Sequence, residues 1–256
     1  MIKLSVVIIT LNEERNIARC LKSLLAVADE ILVVDSFSKD DTCNICKSFG
    51  ARLLEHKFNN YVDQKNFAVQ AAQYDHILSI DADEELSDIL IKEILRVKGD
   101  FQADGYTFNR LNNYCGKWIY HSGWYPDRKL RLYDRTKGSW AGLYIHEKIE
   151  LRKGSKIGFL KGDLLHYTYY SIRDHITQAN KFSSIGASSA ILQGRKSNIL
   201  KAILFPFWRF FRNYFIKLGF LDGYYGFVVC MIISHENFLK YIKMIELQKL
   251  EKRPNN

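Results

Sequence analysis

The chain has 256 residues, of which 47% are hydrophobic, 25% charged and 14% aromatic. This composition excludes a disordered segment, a collagen-like fibre and a small disulfide scaffold, because the chain can bury a full core. The net charge is +9, and from residue 170 onward 13 Lys and Arg stand against five Asp and Glu. The last third is therefore expected to meet phosphate groups, on a membrane surface, a nucleic acid or a phosphorylated acceptor.

Strand and helix patterns alternate over the first hundred residues. A β-branched apolar run over 4–10 predicts a strand covered on both faces, and Asn12 is the predicted N-cap of the helix that follows. The next predicted elements are, in order, a strand over 31–35, a helix from Asp40 or Asp41 to Phe49, a strand over 51–56, a helix over 63–73, a strand over 76–81 and a helix over 87–97. This order predicts an α/β fold with a mostly parallel sheet and helices on its faces.

Beyond residue 100 the pattern becomes irregular and aromatic, and from about residue 172 it becomes helical. The five cysteines are odd in number and scattered, which is typical of free thiols in a reducing cytoplasm. The segment Cys43-x-x-Cys46 has no second Cys or His pair nearby, so a zinc or redox site is disfavoured there. The first residues turn acidic too soon for a signal peptide, and a cytoplasmic location is therefore expected.

Ligands of such sheets bind beyond the carboxyl ends of the strands. Residues 10–16 contain no glycine, which excludes a dinucleotide-binding turn, and no Walker motif is present. What remains is a nucleotide held by carboxylates and a metal. Asp81-x-Asp83 ends an apolar strand, where two carboxylates can share Mg²⁺ or Mn²⁺ with substrate phosphates. The alternative is that these acids only cap the helix that begins near Ser87.

Three motifs, at 5–14 (SVVIITLNEE), 31–42 (ILVVDSFSKDDT) and 80–85 (IDADEE), closely resemble those of the family 2 glycosyltransferases of the GT-A fold. The segment 117–133 and the tail motif 219–226 are similar to the branch that contains lipopolysaccharide-core β-glucosyltransferases. The resemblance implies inverting, metal-dependent transfer of a hexose from a nucleotide diphosphate sugar, expected to be UDP-glucose. It also implies a lipid-anchored saccharide acceptor, such as a lipopolysaccharide core. The alternatives are a protein or peptide acceptor for the same fold, and a degenerate membrane-bound scaffold.

The resemblance also assigns roles to individual residues. The expected nucleotide-sugar site consists of Thr10, Asn12, Glu13, Asp35, Ser38, Lys65, Asp81, Ala82 and Asp83. The expected metal ligands are Asp83, Asp81 and His146. Two alternatives stay open, because Asp35 could only stabilise its own turn and Lys65 could be a solvated surface lysine.

Inverting transfer needs a general base that takes the proton of the acceptor hydroxyl. The family commonly has a Glu-Asp pair for this step, and the nearest equivalent in this chain is His146-Glu147, without the Asp. Glu147 is the first candidate for the base and Asp127 the second. The alternative for Glu147 is an ion pair with Lys148 or Arg152.

Aromatic and basic residues are concentrated between the metal motif and the candidate base. Aromatic rings suit the apolar faces of sugars, although such rings also build cores. Cations in this segment could hold a phosphorylated acceptor or the diphosphate. The expected acceptor site consists of Trp118, Trp124, Tyr125, Arg128, Arg131 and Trp140.

The segment 195–217 carries six cations and no acid among Ile, Leu, Phe and Trp. This pattern is typical of a helix in a bilayer interface, with its cations toward anionic head groups. The longest apolar stretch has ten residues, short of the roughly 20 that span a bilayer. We therefore expect a peripheral protein on the inner face of the cytoplasmic membrane, with no nucleic-acid partner. The alternative is a helix packed on its own domain.

The expected domains are a GT-A catalytic domain over 1–170 and a basic helical extension over 171–256. Within the first, residues 1–100 form the nucleotide-sugar half and 101–170 the acceptor half.

Overall fold

The structure is a computed structural model that describes residues 1–142 and 147–251. It contains two compact units, one formed by residues 1–111 and 127–166 and the other by 112–126 and 167–256. The sequence-based division kept all of 101–170 in the catalytic domain, whereas the contacts group 112–126 with the C-terminal helices. His146 lies outside the described residues.

The described helices and strands confirm the predicted alternation. In chain order they are β1 (Leu4–Thr10), α1 (Ile17–Leu24), β2 (Glu30–Asp35), α2 (Thr42–Ser48), β3 (Arg52–Glu55), α3 (Tyr61–Ala71), β4 (His76–Asp81), β5 (Glu84–Leu86), α4 (Asp88–Gly99), β6 (Gly105–Tyr114), β7 (Lys117–Ile119), β8 (Asp127–Asp134), β9 (Gly138–Ala141), β10 (Lys148–Leu151), β11 (Ile157–Tyr169), α5 (Ile172–Leu192), α6 (Ile199–Phe211) and α7 (Gly223–Glu251). A π-helical turn and a 3-10 turn connect α6 to α7.

Nine of the described strands form one mixed sheet in the order β3-β2-β1-β4-β8-β6-β11-β5, with β7 beside β6. β1 to β4 are parallel to one another, as the βα pattern predicts. β8 runs antiparallel between β4 and β6. β9 and β10 form a separate antiparallel pair. Half of the sheet is therefore the expected parallel α/β layer, and the antiparallel half follows the irregular sequence beyond residue 100.

Alternate residues of β1 face opposite layers, because side chains of a strand alternate between its two faces. Leu4, Val6 and Ile8 are fully buried in the cluster that contains apolar residues of α1 and α4. Val7 belongs to the cluster on the other face, with Ala68 of α3. A strand buried on both faces is what the continuous apolar run over 4–10 predicts.

The predicted N-cap of the first helix is wrong. The helix begins at Ile17 after Asn16, whereas Asn12 has a left-handed backbone with φ of 55°. The N–H of Asn12 donates to the Ser38 hydroxyl (2.8 Å), and its side-chain oxygen accepts from the Lys39 N–H (2.8 Å). Asn12 therefore ties the loop after β1 to the loop after β2, so its side chain is unavailable to cap a helix.

The second unit is built around α5 and α7. Small buried residues on one face of α5, Ala179, Ser183 and Ala187, recur every four positions and allow close helix packing. Lys243 of α7 donates to the Asn180 backbone oxygen (2.9 Å) and to the Ser183 hydroxyl (2.8 Å). Polar bonds therefore fix the register of this helix pair.

The tail motif 219–226 holds the segment 120–122 within the same unit. The buried carboxylate of Asp222 accepts from the backbone N–H groups of Tyr120 (3.1 Å) and His121 (2.9 Å), and it lies 3.0 Å from His121 Nδ1. A Cβ at Gly226 would lie 2.0 Å from the Gly219 carbonyl oxygen, so only glycine fits there. The close packing of the motif therefore places the buried carboxylate of Asp222 against the segment 120–122.

Candidate active site

Residues at the carboxyl ends of β1, β2 and β4 lie side by side. The register pairs Thr10 with Asp35, and Ile9 with Asp81. Parallel strands bring their carboxyl ends to one edge of a sheet, where ligands of open α/β sheets bind. We call the edge formed by Thr10, Asp35 and Asp81 the donor edge.

Asp35 is fully buried at this edge, and both of its carboxylate oxygens accept hydrogen bonds from Ser38. One bond comes from the backbone N–H (2.7 Å) and the other from the hydroxyl. Asp35 therefore stabilises its own turn, as the alternative interpretation proposed. Its role in the nucleotide-sugar site stays a prediction.

Glu13 lies in the loop after β1, half-buried beside other acids. Its N–H donates to the Thr42 hydroxyl (2.8 Å), and its carboxylate accepts from the Asn16 amide (2.7 Å). Burial raises the pKa of Glu13, and the nearby carboxylate of Asp83 raises it further, against the lowering effect of the Asn16 bond.

Asp81 has a separate cation for each carboxylate oxygen. Oδ1 lies 3.0 Å from Lys65 Nζ, and Oδ2 lies 2.8 Å from Arg131 Nη2. Although burial favours the neutral acid, the Lys65 ammonium and the Arg131 guanidinium hold the pKa of Asp81 well below its usual range. Lys65 is 3% exposed, so the solvated-lysine alternative is wrong.

Glu84 fixes the backbone of Asp81 and was not predicted from the sequence as a site residue. It is almost fully buried, and its Oε2 accepts from the Asp81 backbone N–H (2.9 Å). Its Oε1 lies 3.2 Å from Arg131 Nη2 and 3.5 Å from Arg110 Nη1. The acids of the segment 81–84 suggest from the sequence alone that one of them has a structural role. Arg131 reaches Glu84 only because β8 pairs with β4.

Asp83 meets a histidine that no local pattern indicated. His166 Nε2, on β11, lies 3.1 Å from Asp83 Oδ2. β11 pairs with β5 in a register that sets His166 opposite Glu84, which brings the ring to the motif. Ala82, between the two aspartates, is buried and contributes no polar group.

Asp83 and His166 fit a divalent cation when the substrate supplies the other ligands. Mg²⁺ and Mn²⁺ commonly bind one or two protein groups together with phosphate oxygens. Within 1–142 and 147–251, no group of three or more His, Cys, Asp and Glu converges to hold a metal by protein ligands alone. Both oxygens of Asp81 are engaged by cations, so Asp83 is the better ligand of the two predicted carboxylates.

Glu147, the first candidate base, lines a cavity of about 340 Å³ next to Asp81. Its Oε1 lies 3.3 Å from Lys65 Nζ, and its side chain is partly exposed. In place of the ion pair expected as the alternative, with Lys148 or Arg152, Glu147 forms this ion pair with Lys65 of α3. Glu147 is therefore brought to the carboxyl end of β4, where the base is needed.

Asp127, the second candidate, forms ion pairs with Arg110 (2.9 Å) and Lys129 (3.0 Å). It is not among the residues that line the cavity. A base must lie within hydrogen-bonding reach of the acceptor proton, and this geometry favours Glu147 over Asp127.

Three of the predicted acceptor residues lie in the first unit and line the same cavity: Arg128, Arg131 and Trp140. Trp140 is buried, with Lys65 Nζ 4.4 Å and the Arg131 guanidinium carbon 5.4 Å from its ring centroid. Cation-π contacts at these distances stabilise both cations at a poorly hydrated position. Trp140 is a wall of the cavity rather than an exposed platform.

The other three predicted acceptor residues lie in the second unit. Trp124 packs edge-on against Tyr114 and His175, both with centroids 5.9 Å away, in an aromatic core. Trp118 contacts Tyr167, and Tyr125 contacts the exposed ring of Tyr120. Trp124 is therefore a core residue in this structure, which agrees with the alternative that the aromatic rings build a core. The acceptor role of all three residues stays a prediction.

A parallel α/β edge with acidic strand ends, a buried lysine and a candidate base defines the nucleotide-sugar transferases of the GT-A fold. The sequence matches the model of the family Glycosyl transferase family 2 over residues 5–156. The chain belongs to this family, and the sequence-based resemblance is confirmed.

Similar proteins are related to the chain over nearly its full length. An uncharacterized glycosyltransferase of Rickettsia typhi is 34% identical over 96% of this chain and 88% of its own. The lipopolysaccharide core biosynthesis glycosyltransferase LpsC of Rhizobium meliloti is 30% identical over 98% of this chain and 95% of its own. Among solved structures, S. aureus TarS 1-349 is 13% identical, with a TM-score of 0.46 over 99% of this chain and 93% of that chain.

Proposed function

We propose that this glycosyltransferase transfers a hexose, with inversion, from UDP-glucose to a lipid-anchored saccharide of the lipopolysaccharide-core type. The observation that carries the proposal is the convergence of Asp81, Lys65 and Glu147 at the carboxyl end of β4, two residues before Asp83. The similarity to LpsC, whose name places it in lipopolysaccharide core biosynthesis, supports the acceptor class.

The residues of the chain divide the chemistry between them. Thr10, Asn12 and Asp35 border the nucleotide at the donor edge. Asp83 and His166 would hold a divalent cation, which would neutralise charge on the leaving diphosphate. Glu147 takes the proton of the acceptor hydroxyl as that oxygen attacks the anomeric carbon from the face opposite the diphosphate.

The second unit supports a place at the inner face of the cytoplasmic membrane. Large apolar side chains of α6 are exposed, among them Ile203 (58%), Phe207 (71%) and Trp208 (52%). Exposed apolar side chains grouped on one helix favour an interaction site, and exposed Lys196, Lys201 and the neighbouring cations suit anionic head groups. No single described helix meets the length and hydropathy required to cross a bilayer; Ile199–Ile216 and Gly219–Leu250, bent by 71°, meet them only as a pair.

The donor and the metal are tested together. Release of nucleoside diphosphate is measured with a panel of nucleotide sugars, with and without Mn²⁺. Asp83→Asn removes a ligand charge at a strand end, and we expect at least a hundredfold loss of turnover with the fold intact. Asp88→Asn, at an exposed acid five residues on, is the matched control and is expected to retain turnover. Activity of Asp83→Asn within about tenfold of wild type at saturating Mn²⁺ would show that Asp83 is not the ligand.

A further inference from the structure

The cavity beside Asp81 has an excess of positive charge. Two of its lining residues, Asp81 and Glu147, are acidic, and six are basic. The basic residues are Lys65, Arg110, Arg128, Lys129, Arg131 and Lys148. We call this the basic cavity.

Carboxylates satisfy most of these cations but not all. Lys65, Arg110, Lys129 and Lys148 each lie within 3.5 Å of a carboxylate oxygen. Arg128 has no ion pair among the described residues; its guanidinium carbon lies 4.8 Å from the ring centroid of Phe159. An exposed arginine in this position is available to a ligand.

Arg131 provides an independent indication, because it is buried with donors left over. The residue is 4% exposed, and Nη2 bonds to Asp81 and Glu84. Nε and Nη1 have no hydrogen-bond partner among the described residues. Buried donors without partners are costly and rare. These N–H groups leave the guanidinium with hydrogen-bonding capacity that an anionic ligand could use.

We propose that the basic cavity binds an oxyanion, a carboxylate or phosphate, of the acceptor saccharide. The inference rests on the proposed function, which supplies an acceptor. Two features assign the anion to the acceptor rather than to the donor. Thr10 and Asp35 of the expected nucleotide site lie at the ends of β1 and β2 and do not line the cavity, whereas β8, on the other side of β4, contributes Arg128 and Arg131 to it. Glu147 lines the same cavity, and a base must face the acceptor.

Calorimetric titration of inorganic phosphate into the protein saturated with UDP and Mg²⁺ tests this assignment. We expect phosphate to bind the UDP complex, and Arg128→Gln to weaken that binding about tenfold, as for one charge-assisted hydrogen bond. Lys153→Gln, at an exposed lysine outside the lining, is the matched control and should leave it unchanged. Absence of phosphate binding, or equal binding by Arg128→Gln and wild type, overturns the proposal.

Competition distinguishes the two sources of an oxyanion. If UDP displaces phosphate, the cavity belongs to the donor diphosphate and the proposal is wrong. D-Glucuronate and glucose then separate charge from ring shape, and we expect the UDP complex to bind only glucuronate. Equal binding of both sugars contradicts the proposal.

Failure of the proposed function gives a different result. A protein that binds neither UDP nor any nucleotide sugar sinks the proposed donor. Phosphate titration of the free protein and of Arg128→Gln still tests the cavity in that case. Normal nucleotide-sugar hydrolysis without phosphate binding would contradict the anionic acceptor and leave the proposed donor standing.

Discussion

Asp81 shows how a half-buried acid is kept charged at the donor edge. Its two oxygens contact Lys65 and Arg131, and Glu84 fixes its backbone N–H. Removing one partner of a buried pair leaves a charge uncompensated, which typically costs about 3–5 kcal/mol. The donor edge therefore depends on cations for stability as well as for binding.

Lys65→Met keeps the length of the side chain and removes its charge. We expect a loss of free energy of unfolding near the low end of about 3–5 kcal/mol at pH 6, because Arg131 remains beside Asp81. The folded pKa of Asp81 lies below its unfolded value of 3.8, so its stabilisation is full above that value and is lost as the pH falls below it. The difference between variant and wild type should therefore narrow at about pH 3.

Urea unfolding at both pH values measures this difference. Lys57→Met, at an exposed lysine, is the control and should change the free energy of unfolding by less than about 0.5 kcal/mol. An equal loss for Lys65→Met at both pH values would contradict an electrostatic origin.

Glu147 and Asp127 can be separated by kinetics. Glu147→Gln keeps shape and hydrogen bonding but cannot take a proton, so we expect turnover to fall by about 10² to 10⁴ while UDP affinity stays normal. Asp127→Asn should retain turnover, since Asp127 does not line the cavity and its carboxylate is paired with Arg110. Initial rates and UDP titration of both variants provide the measurement. A dead Asp127→Asn beside an active Glu147→Gln would transfer the role of base to Asp127.

The sequence predicts single residues well where the signal is local. Asp35, Asp81 and Asp83 follow apolar runs, so their place at strand ends is visible in the chain itself. Their partners are not visible, because His166 reaches Asp83 only through the pairing of β11 with β5. Lys65 looked equally suited to solvent and to the site, since the burial of a lysine depends on its tertiary surroundings.

At the scale of elements, local patterning predicts the βα units and misses what depends on other segments. β4 has the predicted bounds of 76–81, whereas the N-cap of α1 is Asn16, four residues beyond the predicted cap at Asn12. The short strand β5 has three residues and exists because β11 pairs with it. From the sequence, the tail motif 219–226 indicates only similarity to a family branch. Its role in holding Asp222 against 120–122 can be seen only in the folded structure.

Two glycine substitutions in the second unit test this motif. At Gly226 a Cβ would lie 2.0 Å from the Gly219 carbonyl oxygen and 2.8 Å from Asp222 Cβ, so Gly226→Ala should cost at least about 1–3 kcal/mol. Gly186→Ala in α5 is the matched control. Its Cβ would have ordinary contact with Lys240 at 3.5 Å, so we expect stabilisation by about 0.5–1 kcal/mol. Urea unfolding of both variants measures the opposite signs, and a stable Gly226→Ala would show that the motif relaxes freely.

At the scale of the whole molecule, the charge distribution separates two tasks. The acids and bases of the first unit nearly balance, and the excess cations lie in the second unit with the exposed apolar side chains of α6. The sequence predicts this separation because the net charge of a segment is obtained by counting its residues, without knowledge of the fold. It does not predict which apolar residues of α6 are exposed: Ala202 and Pro206 are buried in the packing with α7, whereas Phe207 is not.

The membrane proposal predicts a particular response to salt and lipid charge. Head-group attraction is screened as ionic strength rises, while burial of Phe207 and Trp208 in the interface is not. We expect the protein to sediment with vesicles containing anionic lipid, less at high salt but still measurably. Replacing exposed Lys196, Lys201 and Lys217 by Gln removes about 1 kcal/mol per charge, which is about a hundredfold in partition for the three.

The control for this experiment removes the same charge from the first unit. Lys153, Lys156 and Lys161 are exposed there, and their replacement by Gln should leave vesicle binding unchanged. Phe207→Ser should weaken binding to neutral and anionic vesicles alike, and at every salt concentration, because it removes only apolar burial. Hydrolysis of a nucleotide sugar in solution should be the same in all of these variants. Equal binding to neutral and anionic vesicles by the wild type, or none, would contradict the interfacial helix and remove its support for a lipid-anchored acceptor.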